Sequence, residues 1–128
     1  MNYLMDTHTF VWWSEDARRL SNRVIALCED TTNGLYLSLA SLWEMQIKIQ
    51  LGKLTLVRPL RQLIQAQIAL NGLRVLPIYA DHIFALEQLP DHHRDPFDRL
   101  LVAQALYENL PILSNDALIA QYPIAVIW

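Results

Sequence analysis

Short apolar runs alternating with longer segments of helical pattern constrain this 128-residue chain more than any other feature. Tyr3-Leu4-Met5, Leu35-Tyr36-Leu37, Arg74-Val75-Leu76-Pro77-Ile78 and Pro111-Ile112-Leu113 read as buried strands, and Ile124-Ala125-Val126-Ile127 as a last edge strand. Between them the spacing predicts a short turn over 9–13, a helix from Ser21 to the Thr31-Thr32-Asn33-Gly34 turn, and another from Pro59 to the Asn71-Gly72 stop. Further helices are predicted over 79–89, from Asp95 to about Asn109, and briefly after Ser114-Asn115-Asp116. Residues 39–51 are ambiguous: the pattern from Glu44 to Leu51 alternates like a strand, yet its Leu, Met, Gln, Glu and Lys favour a helix that Gly52 would stop. Strands without a polar face need cover on both sides. The alternation therefore predicts an α/β fold of three layers, α/β/α, with a central, mostly parallel sheet. No repeat, low-complexity tract or linker interrupts it, and the length suits a single domain over residues 1–128.

Within this frame the segment His92-His93-Arg94-Asp95-Pro96-Phe97-Asp98-Arg99 carries the sharpest local signal. Asp95 is a good N-cap, Pro96 suits the first helical position, and Asp98 falls at the third, where a carboxylate meets the positive end of the helix dipole. On a helical wheel Asp98 also lies above Leu101, Val102 and Ala105, on the inward face. An inward acid at a helix mouth suggests a site.

Ligands of open parallel sheets bind outside the carboxyl ends of the strands. Asp6 ends the first strand, Glu44 lies in the first turns after the second, and Asp116 follows the fourth. Each has an alternative local role: Asp6 and Asp116 can cap helices, and Ser41-x-x-Glu44 has the form of a capping box. Together with Asp98 they would meet at one end of the sheet. Two carboxylates ~4 Å apart repel by roughly 4 kcal/mol at an effective dielectric of 20. Such a cluster gathers around cations or takes up protons. The donor set is all oxygen, with no His or Cys at zinc-like spacing, so Mg²⁺ or Mn²⁺ fits better than zinc.

Asp6-Thr7-His8, Ser41-Leu42-Trp43-Glu44, the segment from His93 through Asp95-Pro96-Phe97-Asp98-Arg99 to Ala103-Gln104-Ala105, and Ser114-Asn115-Asp116 together resemble the PIN-domain ribonucleases. More narrowly, they resemble the VapC-like toxins of type II toxin–antitoxin systems. The resemblance spans nearly the whole chain in order, and its D-P-F-D-R-x-L-x-A-Q-A segment is the specific part. It implies a PIN-like fold and an acidic metal site of Asp6, Glu44, Asp98 and Asp116 holding Mg²⁺ or Mn²⁺. Asp95 matches an additional acid, as ligand or as cap, and Thr7 and Asn115 match supporting positions. The implied activity is endoribonucleolytic hydrolysis of RNA by metal-activated water, leaving a 5′ phosphate and a 3′ hydroxyl. Leu118, Ile119 and Ala120 stand where some relatives carry another acid, which puts a second metal in doubt.

Arg94, Arg99 and Lys48, with Lys53, Arg58 and Arg61, are candidate phosphate contacts or ordinary surface charges. His92 and His93 read as loop polar groups, His8 as a residue able to orient Asp6, and Trp12, Trp13 and Trp43 as packing residues. A net charge of −3 argues against broad attraction to nucleic acid but allows a local basic rim. The lone Cys28 excludes an intrachain disulfide and suits a reducing cytoplasm; no membrane span or signal peptide is expected. A hydrophobic content of 53% exceeds what one core needs, and predicts a homodimer. The resemblance adds a cognate antitoxin as partner.

Three other classes share parts of this pattern. A phosphotransfer receiver-like domain needs a lysine after a late strand, and Lys48 and Lys53 are the only lysines. An aspartate-nucleophile phosphatase needs an acid two residues after Asp6, where His8 stands. A non-catalytic α/β binding module has no use for the acids.

Overall fold

A computed structural model describes residues 1–128. The strands are β1 (Asn2–Met5), β2 (Gly34–Ser38), β3 (Arg74–Leu76), β4 (Ile112–Leu113) and β5 (Val126–Ile127). They form one parallel sheet in the order β3-β2-β1-β4-β5. The helices are α1 (Thr7–Glu15), α2 (Asn22–Glu29), α3 (Leu39–Gln50), α4 (Leu60–Asn71), α5 (Ala80–Ala85) and α6 (Pro96–Glu108). None is long and apolar enough to cross a membrane.

The period-two geometry of each strand divides the core. Tyr3 and Met5 of β1 and Leu35 and Leu37 of β2 pack with Phe10, Val24, Met45 and Leu63, from α1, α2, α3 and α4. Leu4 of β1 and Ile112 of β4 join Leu101, Val102 and Ala105 of α6 in a second cluster. The sheet is thus covered on both faces, as its apolar strands require.

Several elements differ in extent from the expected ones. The turn over 9–13 is the longer α1, because the Asp6 carboxylate caps it by accepting the Thr9 N–H at 2.8 Å. Residues 39–51 resolve as helix with Ser38 as N-cap, its hydroxyl accepting the Ala40 N–H. The third strand stops at Leu76, since Pro77 has no N–H to continue the ladder. The segment over 79–89 divides into α5 and a 3₁₀ turn at Leu86–Gln88, and the helix after Asp116 is a 3₁₀ turn at Ile119–Gln121.

The connections place the site. From β1 the chain steps outward to β2 and β3, then crosses back through α5 and α6 to lay β4 on the other side of β1. The reversal lies between β1 and β4, and the crevice above such a point is where open α/β sheets bind ligands.

Candidate functional site

Asp6 follows the last residue of β1 and is buried at this reversal. One of its oxygens accepts the Thr9 N–H, and the other accepts the Ser114 hydroxyl from the end of β4. Burial raises the Asp6 pKa, against the opposing pull of these hydrogen bonds. The Ser114 hydroxyl also accepts the Asp116 N–H at 3.0 Å, so the same oxygen sets the position of both acids. Asp116 closes its own turn, Oδ1 accepting the Leu118 N–H at 2.8 Å.

The second strand delivers Glu44. Ser38 starts α3, and one turn in, Ser41 and then Glu44 face inward, both buried. The Thr7 hydroxyl donates to Glu44 Oε1 at 2.7 Å and lies 3.0 Å from the Ser41 hydroxyl. Lys48, one turn on, donates to Glu44 Oε2 at 2.7 Å. That hydrogen bond is the chief reason the Lys48 pKa is raised. Ser41 and Glu44 are therefore not a capping box, because the cap is Ser38 and the carboxylate of Glu44 faces Thr7 and Lys48.

The mouth of α6 supplies the rest. Asp95 is its N-cap, Oδ1 accepting the Phe97 N–H at 2.8 Å and the Asp98 N–H at 3.4 Å. Asp98, at the third helical position, turns inward and is pushed up to about 7. Burial is the largest cause; the charges of Asp95, Glu44 and Asp6 act in the same direction, and His93 opposes them. His93 stands between two acids, Nε2 lying 3.0 Å from Asp98 Oδ2 and 3.5 Å from Asp116 Oδ2. One donor atom from each of His93, Asp98 and Asp116 falls within 4.8 Å of the other two.

The structure thus gathers Asp98 and Asp116 across one imidazole, and ties Asp6 to Asp116 through Ser114. Glu44 lies within the electrostatic reach of Asp98 on the Lys48 side. Asn115, expected to support the site, is exposed. His93, read from sequence as a loop polar group, is a central member. The signal that separates it from His92 is distant: Tyr122 accepts the His93 N–H at 2.9 Å, whereas His92 sits edge-on against the Tyr122 ring. Arg99 braces the same loop, donating to the Pro90 carbonyl at 3.0 Å and to the Tyr122 hydroxyl at 3.2 Å. Arg94 is exposed and borders a recess with Glu44, Lys48 and Asp95.

The donor chemistry fits a hard divalent cation. Acids this close, with the pKa of Asp98 pushed up to about 7 by burial and by its acidic neighbours, form a site that a positive ion relieves. Beside it, Trp43 and Phe97 meet edge to face at 5.2 Å, and Trp43 borders an open apolar groove with Leu39, Leu42, Leu60 and Ile64.

A model of the PIN domain matches residues 3–124. No curated protein matches the sequence. Among solved structures, the chain is similar to VapBC2 from Rickettsia felis, crystallised with a DNA fragment from its promoter: TM-score 0.70, 19% identity, 99% of this chain and 98% of that chain covered. It is also similar to FitAcB from Neisseria gonorrhoeae, with a TM-score of 0.64, 20% identity, and coverage of 100% of this chain and 97% of that one. VapBC-5 from Mycobacterium tuberculosis, of the VapBC family of toxin–antitoxin systems, gives a TM-score of 0.60 at 17% identity, covering 98% and 95%. At these identities the likeness is one of fold.

Proposed function

Given that the chain belongs to the PIN-domain family, we propose that it is a divalent-metal-dependent endoribonuclease, the toxin of a toxin–antitoxin pair, with residues 1–128 acting as one domain. The observation that carries this reading is the convergence of Asp98 and Asp116, with buried Asp6 and Glu44 beside them, at the crevice between β1 and β4. Asp98 and Asp116 would hold Mg²⁺ or Mn²⁺, with Asp6 and Glu44 completing the acidic set. When bound, such a cation supplies an activated water and neutralises charge on the phosphate.

The protein groups divide the remaining work. Ser114 fixes Asp6 and Asp116 together, and Thr7 orients Glu44. Lys48 presents an ammonium at the edge of the acids, where a phosphate oxygen of RNA can reach it. Exposed Arg94 offers a second phosphate contact on the same rim. Asp95 serves as the cap that aims α6 at the site, and its charge keeps the site strongly negative.

The partner reading rests on the apolar groove of about 470 Å³ along α3 and α4. Leu39 and Trp43 are exposed there, and an antitoxin segment or a second copy of the chain would cover them. A reducing cytoplasm suits the single free Cys28.

Mapping of cleavage ends in total RNA, with wild type and Asp98→Asn side by side in Mg²⁺ or Mn²⁺, tests the assignment. Asp98→Asn and Asp6→Asn are expected to cut at least about 100-fold more slowly while remaining folded, a loss at or beyond the upper end of what outer hydrogen-bond partners cost. Cleavage at wild-type rates by both variants would overturn it.

A further inference from the structure

The His93 ring makes contacts through both nitrogens, and together they fix what it can do. Nε2 faces Asp98 Oδ2 at 3.0 Å and Asp116 Oδ2 at 3.5 Å. Nδ1 accepts the backbone N–H of Asp95 at 3.1 Å. A ring nitrogen that accepts an N–H carries no hydrogen of its own, so the ring hydrogen resides on Nε2. A cation bound at Nε2 would need that lone pair, and the hydrogen would move to Nδ1, head-on against the Asp95 N–H. Metal-ligating histidines have the opposite arrangement, their far nitrogen donating to an acceptor.

The ring is held in this sense from both sides. Tyr122 accepts the His93 backbone N–H, and Asp95 is committed as the cap of α6. His93 is also largely enclosed, its side chain 14% exposed.

We propose that His93 is a positioning residue of the acidic site and not one of its metal ligands. Its Nε2–H bridges Asp98 and Asp116, holding two mutually repelling carboxylates at a fixed separation. Asp98 Oδ1, to which no protein group donates, is left available to a cation. The inference rests on the metal-nuclease reading, which it refines by separating the residues that bind the ion from the one that sets their spacing.

Nitrogen-15 correlation spectra of histidine-labelled protein, with and without Mg²⁺, read the tautomer directly. The expected result is an Nε2–H pattern for His93 in both samples. Calorimetric titration with Mn²⁺ gives the second readout. His93→Phe, which removes the donor, is expected to weaken binding by about 10–100-fold. His93→Gln, whose amide N–H can replace Nε2–H, is expected to restore most of it, and thermal melts check that both variants fold. A bare Nε2, nitrogen coupling from His93 in the Mn²⁺ spin-resonance spectrum, or unaltered affinity in His93→Phe would each overturn the inference. Any of these alongside Mg²⁺-dependent RNA cleavage removes the role of His93 and leaves the nuclease. The Nε2–H tautomer with His93-dependent Mn²⁺ binding but no cleavage of RNA removes the nuclease and leaves the role of His93.

Discussion

Burial and the charges of Asp95, Glu44 and Asp6 move Asp98 from the ordinary 3.8 up to about 7, so the folded protein keeps a proton that the unfolded chain releases. Where the native state binds more protons, stability falls as pH rises. In EDTA the protein is therefore expected to lose stability between about pH 4 and pH 7, on the order of 2–4 kcal/mol if Asp98 acts alone. The melting temperature should flatten with pH in Asp98→Asn, and rise near neutral pH when Mn²⁺ is added to the wild type. Melting curves from pH 5 to 8 with EDTA and with Mn²⁺ check both points. That these acids fall at one end of the sheet was legible in the sequence, because Asp6 and Asp116 come after strands, Asp98 opens a helix and Glu44 lies in the first turns after β2. His93 was not: its place depends on Tyr122, 29 residues away, accepting its backbone N–H. The resembling segment begins at His93 and not at His92, but the pattern His92-His93-Arg94 does not say that His93 enters the site.

At the scale of elements, α6 aims the site, and its cap can be separated from its charge. Asp95→Asn keeps a capping oxygen, so it should melt near wild type, and losing the charge should slow RNA cleavage, but less than Asp98→Asn does. Asp95→Ala should lose about 0.5–2 kcal/mol. A loss of cleavage in Asp95→Asn as deep as in Asp98→Asn would make Asp95 a ligand instead of a cap. Farther along α6, buried Gln104 joins three elements: it accepts the Ser38 hydroxyl at the start of α3 and donates to the Pro77 carbonyl after β3. Gln104→Met leaves both groups without that partner and is expected to cost about 1–3 kcal/mol for each one left unsatisfied, read from urea midpoints. The existence of α6 was plain from Asp-Pro at its start, and the end expected at about Asn109 falls at Glu108, with Asn109 left-handed just after it. For α3 the apolar alternation suggested a strand while residue propensities favoured a helix. Packing decided it, since Met45 and Glu44 are buried by different neighbours on one helical face.

Over the whole molecule, the apolar strands gave away a parallel sheet covered on both faces, but not its order. Sequence offers no rule for which strand joins β2 in flanking β1; the long crossover through α5 and α6 brings β4 there. It also offers no view of what remains uncovered. Leu39 and Trp43 stay exposed at 38% and 60%, beside the α3–α4 groove. The double variant Leu39→Glu/Trp43→Glu is expected to fold and cleave RNA as wild type, yet to escape silencing by the product of the adjacent reading frame. Light scattering and cleavage assays with that product check this, and intact silencing would move the partner elsewhere. One further consequence follows from Ser114 reaching back across 108 positions to Asp6. A polypeptide emerging from the ribosome presents Asp6, Thr7 and Glu44 well before β4 and Asp116 have been made. Until β4 follows, the crevice lacks one wall. The acidic set therefore comes together only after β4 has docked beside β1, whatever the order in which the earlier elements fold.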